Sequence, residues 1–136
     1  MRGGGQVKRR AFVVRALMLA AAGALGPPLT GCAGGRDMTA ADLAAWLPHE
    51  EAVVRLGREY LGSHPGETEP AALLKLLVPA AARLDDAAAR ERMLEQVRAD
   101  YAEGRTLILS GWVLSVSEAR LCALAALESD EGTSGS

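Results

Sequence analysis

From residue 39 onward the apolar side chains recur at helical spacing, with one face turned inward, except in a short stretch where the rhythm breaks. Thr39 is expected as an N-cap ahead of a run that reaches Leu47 and is closed by Pro48. A second helix is expected to open with Pro48 in its first turn and Glu50 and Glu51 near its positive end. It would bury Val53, Leu56, Gly57, Tyr60 and Leu61. The turn residues Gly62, Ser63, His64, Pro65 and Gly66 stop it. Between Pro70 and Pro79 the run Leu73, Leu74, Leu76 and Leu77 predicts a short, deeply buried helix. Residues 80–103 hold the most regular helical pattern, starting at Asp85 or Asp86. Met93, Leu94, Val97 and Tyr101 form its apolar stripe, and Gly104 is its C-cap.

The texture then changes. Thr106 to Leu109 and Trp112 to Leu114 flank Ser110-Gly111, which reads as a small β-hairpin with a glycine-containing turn. Ser115 and Glu118 have capping-box spacing ahead of a final apolar helix over residues 119–127. The predicted fold is therefore mainly α, a small helical domain over residues 39–128 with one short β-hairpin before the last helix. Residues 129–136, acidic and then rich in Gly and Ser, are expected to be disordered. An isolated hairpin is marginal in water, so its apolar residues need cover. The domain's own helices can supply it. If they cover one side only, Leu107, Leu109, Trp112 and Leu114 become a candidate interface for a partner.

Ahead of this domain, residues 1–31 have the order of a signal peptide. Lys8, Arg9, Arg10 and Arg15 form a basic region, residues 16–25 are apolar, and Gly26-Pro27-Pro28 breaks any helix before the cleavage region. The apolar run is well short of the ~20 residues that span a bilayer. Leu29-Thr30-Gly31-Cys32 matches the lipoprotein pattern, in which the Cys32 sulfur takes a diacylglycerol group and its amine becomes the new N-terminus. Residues 32–38 would then be a lipidated tether, since more than one acyl chain anchors stably. An ordinary cleaved signal, leaving Cys32 as a thiol, is the alternative. Arg9-Arg10 followed by Phe12 looks like a twin-arginine export motif, with Lys8 and Val14 departing from the usual flanking residues. That route moves folded cargo. The expected location is the cell envelope, membrane-anchored and facing the periplasm or the outer surface.

Charge sharpens the picture once the leader is set aside. The chain has 15 Lys+Arg and 17 Asp+Glu; five of the basic residues and none of the acidic ones lie in residues 1–31, so the remainder carries a net charge near −7. Nucleic acid is a poor partner for such a surface, and membrane attachment would rest on the lipid. Candidate chemistry is sparse. His49 and His64 stand in no metal-ligand pattern and read as a solvent-facing residue and a turn residue. Cys122, in an apolar helical setting, reads as a buried, inert thiol. Ser110-Gly111-Trp112 lacks the spacing of a nucleophile elbow. The alternation of Arg90, Arg92, Arg98 and Arg105 with Glu91, Glu95, Asp100 and Glu103 reads as a solvated helix face with short-range ion pairs. No catalytic residue, cofactor or metal is expected.

Gly111-Trp112-Val113-Leu114-Ser115, followed by Glu118-Ala119-Arg120-Leu121-Cys122-Ala123-Leu124-Ala125, resembles small bacterial proteins with twin-arginine leaders. In size, leader and helical make-up the chain is similar to the small third subunits of periplasmic sugar and gluconate dehydrogenases. The resemblance implies a non-catalytic accessory subunit without a cofactor of its own. Such a subunit co-folds with a larger flavin- or metal-bearing exported enzyme and lends it an export signal. A stand-alone envelope lipoprotein acting as a helical interaction module is the alternative reading.

Overall fold

The computed structural model describes residues 37–78 and 86–135. The expected signal peptide with Arg9, Arg10 and Phe12, the expected lipidation site Cys32, most of the expected tether, and Asp85 lie outside the described residues. Within them the chain folds into helices α1 (Ala40–Ala44), α2 (Glu51–Ser63), α3 (Pro70–Leu77) and α4 (Asp86–Ala102). Strands β1 (Thr106–Leu109) and β2 (Trp112–Ser115) follow, and then α5 (Val116–Ser134). This is the mainly α domain with a hairpin before its last helix that the sequence pattern predicts.

Local chemistry sets most of the boundaries. Thr39 caps α1 through a capping box: its hydroxyl accepts the Asp42 N–H at 3.2 Å, and the Asp42 carboxylate accepts the Thr39 N–H at 2.8 Å. Beyond Ala44 the N–H groups of Trp46 and Leu47 bond to the carbonyls of Leu43 and Ala44, a tightened turn that ends α1 short of Leu47. Pro48 is not in the first turn of α2. Its carbonyl accepts the Glu50 N–H at 2.8 Å, which holds Glu50 extended as the N-cap, so the helix starts at Glu51. Pro70 does occupy the first turn of α3. That helix is half-buried rather than deeply buried, because Leu73 and Leu77, a helical turn apart, are its fully buried leucines, while Leu74 is partly buried and Leu76 is 40% exposed.

Gly104, at φ 72°, ends α4 as expected. The Arg105 N–H reaches the Asp100 carbonyl at 2.8 Å and the Gly104 N–H the Tyr101 carbonyl at 3.3 Å, the paired bonds of a Schellman cap. Ser110 (φ 48°) and Gly111 (φ 79°) then form a left-handed two-residue turn that matches the twist of the strands on either side. Leu107 pairs with Leu114, Ile108 with Val113, and Leu109 with Trp112. Leu107, Leu109, Trp112 and Leu114 therefore share one face, and that face packs on the core.

α5 is the centre of the molecule. Ser117, Glu118, Ala119, Leu121, Cys122, Ala123, Leu124 and Ala126 are all buried on it, so this stretch is enclosed on nearly every side. Leu43 and Trp46 pack into the same core, as do Leu56, Tyr60, Leu73, Leu77 and Met93. At Gly57 the backbones of α2 and α5 touch: a Cβ there would collide with the Cys122 carbonyl oxygen. The helix also runs through Ser134, into the segment expected to be disordered, with Asp130 ion-paired to Arg58 of α2.

Candidate functional site

The densest gathering of chemically capable side chains lies where α5 begins, under the base of the hairpin. A helix start leaves its first N–H groups without intrahelical partners, and here the start is buried, so every one must find an acceptor inside the protein. The Ser115 N–H donates to Glu118 Oε2 at 2.8 Å, and the Glu118 N–H donates to Ser115 Oγ at 3.1 Å. The Val116 N–H donates to the Arg105 carbonyl at 3.1 Å. The Ser117 N–H and hydroxyl donate to Asp100 Oδ2 at 3.0 and 2.6 Å. Two buried carboxylates thus complete one helix end, each from a different element.

Their acidities diverge. Burial alone would raise Asp100, but the bonds from Ser117 and from Arg105, whose Nε lies 2.8 Å from Oδ1, outweigh it and hold the carboxyl below its ordinary value. Glu118 goes the other way: burial pushes its carboxyl up, against the hydroxyl of Tyr101, which donates to Oε2 at 2.6 Å. Its second oxygen, Oε1, is buried and has no hydrogen-bond partner among the described residues. Arg105 is turned toward Asp100 and Glu103 and gives Glu118 no ion pair.

A second cluster flanks the other side of α5. Arg120 holds Glu67 with two bonds, at 2.9 and 2.8 Å, and the Tyr60 hydroxyl donates to the same carboxylate at 2.6 Å. The guanidinium bonds pull Glu67 down to about 2, while burial and the negative partner push Tyr60 up to about 12. The His64 ring stacks on Tyr60 at 4.0 Å, with Nδ1 3.0 Å from the Tyr60 carbonyl, closing α2. At the hairpin tip, Glu59 accepts the Ser110 N–H and hydroxyl, which lower its carboxyl and hold the strained turn.

Of the residues singled out from sequence, Leu109 and Leu114 are buried, and Leu107 and Trp112 are half-buried against the core. The proposed interface is therefore directed inward, because period-two alternation turns all four to the helices. The exposed apolar side chain of the hairpin is Ile108, on the opposite face, at 68%. Cys122 is fully buried, and burial pushes its thiol up to about 12, the state of an inert thiol. His49 is exposed. Asp100 is no part of a solvated face but is almost wholly buried. The short-range pairing of Asp100 with Arg105 is legible in the sequence, but its burial against Ser117 and the Glu67–Arg120 pair are not, since those partners are distant in the chain; Glu118 carried a signal, the capping box.

Among the described residues no three His, Cys, Asp or Glu side chains gather as a metal site, and no helix is long and apolar enough to cross a membrane. No family model, curated protein or solved structure matches this chain.

Proposed function

We propose that this chain is a lipid-anchored, non-catalytic accessory subunit of an exported oxidoreductase. The observation that carries the reading is the order of the leader: Arg9-Arg10 with Phe12, a short apolar run, and Leu29-Thr30-Gly31-Cys32. A route for folded cargo suits a small domain that leaves the cell docked to a partner bearing a cofactor. A structural role is supported by its polar side chains, which serve helix ends and an ion pair between α5 and the α2–α3 loop. The docking surface in this reading is the outer face of the hairpin, around Ile108.

Affinity capture of the full chain from membranes tests it. Recovery of a stoichiometric flavoprotein or metalloenzyme, lost in Ile108→Asp with folding unchanged, is the expected result. Capture of the chain alone would reject the subunit reading. It would favour the second reading, a stand-alone envelope interaction module, which draws support from the closure of the hairpin's inner face by the chain's own core. Mass analysis finding Cys32 unmodified on a full-length cytosolic chain would remove both.

A further inference from the structure

The capping box at Ser115 has one feature that capping does not require. Glu118 is wholly buried; Oε2 takes the bonds from Tyr101 and from the Ser115 N–H, and the Ser115 side chain also favours the charged form without outweighing burial. Oε1 faces protein, with no partner among the described residues. A carboxylate in this position would hold negative charge on an atom cut off from water and from those donors, whereas a carboxyl carrying its proton does not.

Among the described residues the surroundings offer no cation to offset that charge. From α4, Asp100 and Tyr101 face Glu118, and the Asp100 charge repels it; Arg90 of that helix lies over the Trp46 ring, and Arg92 and Arg98 are exposed. Arg105 is engaged by Asp100 and Glu103. β2 contributes the uncharged Ser115. On α5 itself Cys122 lies a turn away, and Arg120 is committed to Glu67. The ionisable groups of the other packed helices are directed elsewhere: Asp42 caps α1, Arg58 pairs with Asp130, Glu59 holds Ser110, and Tyr60 binds Glu67. Glu51, Arg55 and Lys75 are exposed.

We propose that Glu118 is a proton-operated latch on the junction between the hairpin and α5, closed while the carboxyl keeps its proton and loosened when rising pH removes it. In the unfolded chain this group ionises near 4.5, and in the fold burial holds the proton to higher pH. The latch therefore contributes fully below the unfolded value and is lost as pH rises through the folded one. Between the two, the ratio of folded to unfolded chain falls about tenfold per pH unit. Export and lipidation play no part in the latch, so it stands or falls apart from the subunit reading.

Urea denaturation of the full chain from about pH 4.5 to about pH 8, beside Glu118→Gln, tests the latch. The amide of that variant is a neutral mimic of the protonated acid and does not titrate over this range. The expected result is a wild-type midpoint that falls with rising pH and a Glu118→Gln midpoint that stays level. Equal pH dependence in the two proteins would overturn the latch. If the variant does not fold, the ¹³C resonance of the Glu118 carboxyl in the wild type decides: titration above 4.5 supports the latch, and titration at or below 4.5 overturns it.

Discussion

Two carboxylates on either side of α5 receive a tyrosine hydroxyl at the same 2.6 Å, yet Glu67 is pulled down to about 2 and Glu118 is pushed up. The difference is the cation. Glu67 has the Arg120 fork on it and remains partly open to solvent, whereas Glu118 has one oxygen with no donor among the described residues and lies beside Asp100. At Glu118 a hydroxyl and a backbone N–H do not outweigh burial, whereas at the more open Glu67 a hydroxyl and a bidentate guanidinium do. The same helix is thus flanked by one acid, Glu67, that stabilises the fold as an anion and carries another, Glu118, that stabilises it as a neutral group.

Removing the cation should break the contrast most strongly. Arg120→Met leaves Glu67 without its fork and is expected to cost about 2 kcal/mol in urea denaturation. It should also bring Glu67 up from about 2, seen in its carboxyl ¹³C titration. Acid should act next. Glu67 is depressed in the fold, so its contribution is present above 4.5 and is lost as pH falls toward 2. Solvent screening of this partly exposed pair limits the loss to about 1–2 kcal/mol. Melting temperatures across that range should fall less steeply in Arg120→Met than in the wild type. Tyr101→Phe should cost about 1 kcal/mol in urea denaturation and raise Glu118 further, because the hydroxyl is one of the two donors to Oε2. Tyr60→Phe should be mildest, under about 1 kcal/mol by the same measurement, since Arg120 still holds Glu67.

What could be read along the chain was local. The Thr39 and Ser115 caps, the Gly104 stop and the Ser110-Gly111 turn depend on residues within a few positions of one another, and each appears where the pattern places it. The settings of Asp100 and Glu67 escaped that reading because they come from afar. Asp100 sits among alternating charges typical of a wet helix face, and only the folding-back of α5 sets Ser117 against it. Glu67 lies in a loop, and its partner Arg120 is 53 positions away. The continuation of α5 past Leu127 was equally hidden, since Gly132 and the polar tail argue locally against a helix, whereas Arg58 reaches Asp130 from α2. The leader's reading, from Arg9-Arg10 to Cys32, rests on the sequence.

Gly57 gives the arrangement a mechanical consequence. With its hydrogen against the Cys122 carbonyl, α2 and α5 meet with no spacer between them, and Ala126 crowds the same spot. The pair has a pivot whose radius is set by bare main chain. A single methyl inserted there would drive the two rods apart, and the displacement would be carried along α5 to Arg120 and Glu118 together, so both acids depend on the smallest residue in the chain.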